Sequence, residues 1–471
     1  MIDSGGCRPY SNQNRRQGGT IDGDAFGAKV NGGDSTTGLL HSCYAAAIAA
    51  AQPAAALRAP LRAARRDRSP FWVISVGKAA PGMAAAITEN LVAEGRQLAG
   101  GVVIGPPPDA RGSASAWTTG VWPSGQSHAA LRFVDGDHPI PRADSARAAE
   151  AIGDIVRRIP DGADVHVAIS GGASALIAGP LPDLTMPDIT LTFELLLASG
   201  LDIHEMNAVR KRITRWSGGR LGVALAGRIV HVWVISDVPG DDVASIASGP
   251  CTGDPWTADE VRSLLAHSRL AEQLPVAVRT AMARETPKPG DPRLAGIAPL
   301  IVANNRTALA AAAAQGRQSG IAVRVMDDPL VGEASEMGRR IAATMHGIAE
   351  TEPQLLLWGG ETTVTIGDGP HGTGGRAQEL ALSAAQSLHD TRAAGILLVA
   401  GTDGRDGPTD AAGALVNRDT WQRIVAAGRD PAVDLSRHDG YPALDAAGAL
   451  VRTGPSGTNV MDLALAITGA R

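Results

Sequence analysis

Short apolar runs along this chain repeatedly end in small polar loops. Six stand out: Phe71–Val76 into Gly77 and Lys78, Val165–Ile169 into Ser170, Gly171 and Gly172, and Ile229–Ile235 into Ser236 through Asp241. Further along, Leu300–Ala303 meets Asn304, Leu355–Leu357 meets Gly359 through Glu361, and Ile396–Ala400 meets Gly401 through Gly404. A buried strand leaving into Gly, Ser, Asp or Lys marks the carboxyl edge of an open α/β sheet, where ligands bind. Helical periods lie between the runs. Thr185 and Asp188 read as a capping box with Pro187 in the first turn, opening a helix that stops near Gly200. Ile203, Met206, Val209, Ile213 and Trp216 then define one buried helix face. The rest of that helix carries Asn207, Arg210, Lys211, Arg212 and Arg215, which predicts either a solvated surface or a share in anion binding.

The loops carry the candidate chemistry. Lys78 stands where a strand becomes a helix, and a helix N-terminus favours an anion. Ser170 through Ser174 can offer consecutive backbone N–H groups to phosphate, or simply make a tight turn. Asp237 with Asp241 and Asp242, Glu361, and Asp403 with Asp406 supply carboxylates on three loops. Such hard oxygen donors beside phosphate loops point to Mg²⁺, although for any single Asp a helix cap or Asx turn is the stronger reading. Gly374 and Gly375 place Arg376 before a helical stretch, where it can clamp a phosphoryl group. His138, alone in Gly136 through Pro139, reads as a structural turn. No Walker A loop occurs and no Gly-x-Gly-x-x-Gly fingerprint stands at the first strand exit, Gly77 through Ala80, which counts against a nicotinamide enzyme, and Ser170 and Ser174 lack a nucleophile-elbow context.

Composition narrows the class. With 44% hydrophobic and 19% charged residues the 471-residue chain is globular, and its length implies more than one domain. A net charge of −5 and 3% aromatic residues argue against nucleic acid. No run is long enough for a membrane span, and Cys7, Cys43 and Cys251 are too few and scattered for a disulfide framework, so the cytosol is expected. Lysine occurs only at positions 29, 78, 211 and 288. In so arginine-rich a chain, a lysine kept at a strand exit calls for a compact ammonium.

The order of loops resembles one family throughout residues 38–471: the glycerate 2-kinases of the MOFRL type, also known as hydroxypyruvate reductases. Matching segments include Val76–Ala80, Gly136–Pro139, Ile169–Leu176, Asn207–Lys211, Ser236–Asp242, Ser248–Pro250, Gly359–Val364, Gly374–Arg376, Gly401–Asp403 and Gly457–Val460. The resemblance implies an α/β fold of two lobes, a Rossmann-like N-terminal α/β/α lobe and a smaller C-terminal α/β lobe, with an ATP- and Mg²⁺-dependent site in the cleft. Composition gives a disordered extension over 1–37 and a linker over 285–296; the resemblance fits a first domain over 38–296 and a MOFRL-type domain over 297–471. It points to Lys78 and Arg376 as the phosphate-handling pair. In the scheme that follows, Gly171, Gly172, Ser174 and Gly249 hold nucleotide, and Glu361 and Asp403 hold Mg²⁺. Asp237 orients or deprotonates the hydroxyl, and Arg210 and Asn459 meet the substrate. The expected partner is a small hydroxy acid, with a homodimer left open. Ala377, Ser217 and Pro455 depart from the family pattern on what is expected to be the acceptor side. A kinase for another hydroxy acid or sugar-like alcohol, a hydroxypyruvate reductase and a non-catalytic binding protein therefore stay as alternatives.

Overall fold

The computed structural model describes residues 35–64, 70–107, 130–348, 353–367 and 369–469. The expected extension over 1–37 falls outside them up to residue 34, and most of the Pro-rich loop after Gly105 does too.

Six strands form the first sheet: β1 (Phe71–Val76), β2 (Leu98–Gly105), β3 (Leu131–Asp135), β4 (Asp164–Ile169), β5 (Ile229–Ile235) and β6 (Pro299–Ala303). Every neighbouring pair is parallel, in the order β3-β2-β1-β4-β5-β6. Each residue of β1 and β4 is buried, because helices cover both faces; that is why these strands read as unbroken apolar runs. The order reverses between β1 and β4, so the loops leaving these two strands open a crevice at their carboxyl ends.

The second sheet holds β7 (Ala322–Val325), β8 (Gln354–Gly360), β9 (Gly395–Gly401), β10 (Gly413–Asn417), β11 (Leu450–Val451) and β12 (Asp462–Thr468), in the order β11-β10-β9-β12-β8-β7. Only β7 and β8 run parallel. β12 is antiparallel to both β8 and β9, which brings its first residue beside their last ones: Asp462 pairs with Gly360 and Gly401. Helices Ala334–Gly347 and Arg376–Thr391 pack on one face of this sheet around Leu356, Leu397 and Ala464.

Strand pairing divides the chain differently from the expected boundary at 296. β6 lies beyond it yet pairs with β5 and completes the first sheet. Helix α1 (Ser35–Ala51) precedes the first sheet in sequence but packs on helix Asn305–Gln318, β9 and β12. Its Leu40, Cys43 and Ala47 are fully buried, and the Tyr44 hydroxyl donates to the Gly401 carbonyl at 2.6 Å. Burying a leucine such as Leu40 contributes about 1.5–3 kcal/mol. The Ala51 carbonyl accepts from Thr458 Oγ1 at 2.7 Å, so the end of α1 is fixed to the second lobe as well. One apolar cluster runs from Phe71 and Val73 of β1 through α1 to Leu463 and Ile467 of β12.

Candidate active site

The β1 and β4 exits fit together by removing side chains. At Gly77, with φ +123°, a Cβ would stand 2.2 Å from Ser170 Oγ. The Lys78 N–H donates to the Gly171 carbonyl at 2.9 Å, and the Ala79 N–H to Ser170 Oγ at 3.0 Å. Lys78 is thereby held one turn before helix Ala80–Ala93. Gly171 passes so close to β5's exit that a Cβ would meet Asp237 Oδ2 at 1.8 Å. Gly172 (φ +82°) turns the chain beside the His138 ring, 3.1 Å from its virtual Cβ, and the Lys78 Cγ at 3.5 Å. Only glycine allows these approaches.

Polar links run outward from this loop. Ser174 Oγ shares a hydrogen bond with Ser248 Oγ at 2.9 Å, and Ser248 Oγ donates to Asn207 Oδ1 at 3.1 Å. Arg210 Nη1 donates to the same Asn207 oxygen at 3.3 Å, while its guanidinium lies 4.6 Å over the Phe193 ring.

The second lobe meets these residues across the crevice. Asn459 Nδ2 donates to Asp237 Oδ2 at 3.2 Å, and Lys78 Nζ lies 3.9 Å from Asp403 Oδ2. Arg376 opens helix Arg376–Thr391 and donates to Asp462 through Nε at 2.6 Å and Nη2 at 3.2 Å. Its Nη1 pairs with Glu361. This two-carboxylate grip fixes the guanidinium plane. The helix's first N–H groups are capped by Asp406, which accepts from Ala377 at 3.1 Å and Gln378 at 2.7 Å.

The electrostatics are those of crowded acids. Burial pushes the Asp237 and Asp403 carboxyls above their usual range, with Lys78 opposing in both cases. Burial likewise raises Glu361 to about 7, against Arg376 and with help from Asp462 and Asp237. Asp406 is raised to about 7 by burial and the nearby Asp462 charge. Enclosure, then the Lys78 and Arg210 charges, holds His138 down to about 4, so its imidazole is neutral at ordinary pH. Buried carboxylates that resist ionisation next to one another are a donor set suited to a hard divalent cation, and Asp237, Asp403 and Glu361 fit Mg²⁺ in type.

A family model described as a domain of unknown function, DUF4147, matches residues 39–283, and the MOFRL family model matches 354–462. A glycerate 2-kinase of Pyrococcus horikoshii is 37% identical over 350 residues, covering 72% of this chain and 79% of that protein. An Agrobacterium vitis protein provisionally named a hydroxypyruvate reductase is 39% identical over 92% of this chain and 94% of its own length. The crystal structure of glycerate kinase from Thermotoga maritima aligns with a TM-score of 0.76 at 31% identity, covering 92% of this chain and 99% of that one. The chain belongs to the MOFRL-type glycerate 2-kinase family.

Of the residues expected to serve this kinase-family site, Lys78, Gly171, Gly172, Asp237, Glu361, Arg376, Asp403 and Asn459 meet in the crevice. Ser174 and Arg210 join through Ser248 and Asn207. Gly249 shapes its own turn: its φ is +60°, its carbonyl accepts from Gly219 at 2.7 Å, and a Cβ would press on the Ala244 carbonyl at 2.8 Å. Asp241 and Asp242 are occupied structurally, by Asn304 Nδ2 and by Ser245 Oγ, each at 2.6 Å.

Lys211 and Arg212 of the cationic helix follow neither expectation. Helix Ile203–Ile213 ends before Trp216, and its Lys211 and Arg212 are buried against Asp254, Lys211 at 3.1 Å. Arg212 also reaches Glu285 at 3.1 Å and the Arg284 carbonyl at 2.6 Å. Of these three cations, only Arg210 belongs to the crevice network. Two departures from the family pattern are buried. The Ala377 methyl packs in the core of the second lobe, and buried Ser217 accepts from Thr214 Oγ1 at 2.7 Å. Pro455 is exposed.

Sequence reasoning missed Asp462, Asn207 and the placement of His138 at the crevice. Asp462 carried a signal, an acid four residues after Thr458 in an otherwise apolar run, but its partner is 86 residues away. A separate surface recess of about 810 Å³, lined by Arg220, Lys288 and Arg293, holds internally paired charges: Lys288 with Glu285 and Arg293 with Asp291, each at 2.6 Å.

Proposed function

We propose that this protein is an ATP- and Mg²⁺-dependent kinase that phosphorylates the 2-hydroxyl of glycerate, giving 2-phosphoglycerate. The observation that carries this reading is the meeting of two cations from opposite lobes, Lys78 and Arg376, with the three carboxylates Asp237, Asp403 and Glu361 at a glycine-lined sheet edge. Phosphoryl transfer needs chiefly positioned charge, and these residues supply it.

In this mechanism the backbone N–H groups around Gly171 and Gly172 face the nucleotide phosphates. Lys78 and Arg376 approach the transferring group from the two lobes and offset its charge. Arg210, anchored by Asn207 and Phe193, takes the substrate carboxylate. Asp237, held by Asn459, receives the hydroxyl proton as the new oxygen–phosphorus bond forms and the bond to the departing diphosphate breaks. Its burial-raised affinity for a proton suits that task. Glu361 and Asp403 would hold Mg²⁺, which would supply charge neutralisation for the phosphates. His138, neutral beside Lys78, offers a hydrogen bond without adding positive charge. A cytosolic location goes with this reading, supported by the buried free thiols of Cys43 and Cys251. No helix among the described residues is long and apolar enough to cross a membrane.

The strand order β3-β2-β1-β4-β5-β6 is also that of dinucleotide-binding sheets, which favours a reductase as second reading. Against it, the first turn holds Gly77, Lys78, Ala79 and Ala80 where the fingerprint needs further glycines. Purified protein incubated with ATP, Mg²⁺ and a panel of hydroxy acids, followed by ³¹P NMR, should give 2-phosphoglycerate from glycerate. Hydroxypyruvate-dependent NAD(P)H oxidation without phosphoryl transfer would overturn the kinase reading. Faster turnover of another acceptor would move the assignment within the family.

A further inference from the structure

The amino ends of β4 and β5 hold a second cluster, about 20 Å along the strands from the crevice at 3.3 Å per residue. Asp164 and His166 lie on the same face of β4, and His166 pairs in register with His231 of β5. Their side chains are 4%, 2% and 15% exposed. Asp164 Oδ1 stands 3.6 Å from His166 Nε2 and 3.3 Å from His231 Nε2. None of these three buried atoms has a hydrogen-bond partner, and all lie within 4.8 Å of one another.

Two further polar atoms of the cluster are engaged. Asp164 Oδ2 accepts from Arg96 at 2.7 Å, and His166 Nδ1 accepts from the Trp233 indole at 3.1 Å. The two imidazoles stack at 5.0 Å between centroids. Burial pushes the Asp164 carboxyl up, but His166, His231 and Arg96 outweigh it and hold it well below its usual range. Burial holds His166 below the usual imidazole range.

A direct charge-assisted hydrogen bond would close to about 2.7–2.9 Å. Donor atoms at the corners of a tetrahedron about 2.0–2.1 Å from a central ion stand about 3.3–3.4 Å apart. The two measured carboxylate–imidazole separations match the second spacing better than the first. We propose that Asp164, His166 and His231 form a binding site for a divalent transition metal of the Zn²⁺ class, distinct from the catalytic centre. His231 is the least buried of the three ligands.

Trp233 sets a cost on binding. Indole only donates, so without the ion His166 carries its proton on Nε2. Binding moves that proton to Nδ1, and the indole loses its acceptor. Removing the indole N–H should therefore tighten binding.

Chelator-treated full-length protein titrated with Co²⁺ in excess Mg²⁺, which occupies the crevice carboxylates, tests the site. We expect one intense tetrahedral visible band per chain, and a Zn²⁺-dependent rise in melting temperature. His231→Gln, at the least buried ligand and checked for folding by circular dichroism, should abolish both. Trp233→Phe should keep the band and bind about tenfold tighter. Absence of the band in wild-type protein, or its persistence in His231→Gln, would overturn the site. Unchanged or weaker binding in Trp233→Phe would overturn the coupling to Trp233.

Discussion

Lys78→Ala removes the cation closest to the first lobe's phosphate loop without touching the core. Its Nζ lies 3.9 Å from Asp403 Oδ2, and the side chain is 36% exposed. A unit charge at that distance feels about 4 kcal/mol at an effective dielectric of about 20. Solvent access reduces this, leaving about 2–4 kcal/mol for a phosphoryl group held in the same place. If that interaction develops in the transition state, kcat should fall about 30- to 1,000-fold. The fold should survive, because Lys78 is fixed by its backbone N–H to Gly171. Lys78→Arg should not restore the rate, since a planar fork does not take the place of a compact ammonium against a phosphate. A coupled assay of ADP release at saturating glycerate reads the effect. A folded Lys78→Ala enzyme with kcat within about threefold of wild type, well short of the reduction expected for a preorganised charge, would refute the reasoning.

Further expectations follow from the same geometry. Asp462→Asn keeps the volume but frees one side of Arg376, so kcat should drop about 10- to 100-fold with a smaller change in the KM for glycerate; an unaltered kcat would mean that Glu361 alone positions the arginine. Folding raises the Glu361 pKa from about 4.5 to about 7, so the stability this group contributes is complete below pH 4.5 and is lost as pH climbs through 7. Melting temperatures of the metal-free protein between pH 4.5 and 8 should therefore decline more in wild type than in Glu361→Gln, and parallel curves would contradict the assignment. Mg²⁺ requires the ionised carboxylate, so its apparent affinity should tighten between pH 6 and 8 by calorimetry. Tyr44→Phe leaves the Gly401 carbonyl without its hydroxyl donor and should cost about 1–2 kcal/mol in urea unfolding at constant m; a change under about 0.3 kcal/mol, far below a lost buried hydrogen bond, would show that the contact carries no weight.

The strand exits were legible in the sequence because the strands are buried on both faces and finish in loops that must admit a ligand. β1 and β5 match their apolar runs residue for residue. β12 escaped the same rule for a directional reason. It is antiparallel to β8 and β9, so its polar residues, Asn459 and Asp462, stand just before it and at its first position rather than after it. The capping box at Thr185 was readable because its two hydrogen bonds are local. The burial of Lys211 and Arg212 was not, because their partner Asp254 lies more than forty positions away and only tertiary packing brings it near. The contacts of α1 with β9 and β12 were equally unreadable, because those strands lie at the far end of the chain.

The Tyr44–Gly401 contact spans 357 residues, and this separation bears on how the protein is made. Helix α1 is among the first parts of the described chain to leave the ribosome, while β9 and β12, which it covers, are among the last. At about 5–20 residues per second, that interval is about 20–70 s. Throughout it α1 lacks the cover of β9 and β12, and the Tyr44 hydroxyl lacks its Gly401 acceptor. A nascent chain holding such a helix is a natural client for a holding chaperone, and a ribosome-bound fragment ending before β9 should keep α1 open to proteases.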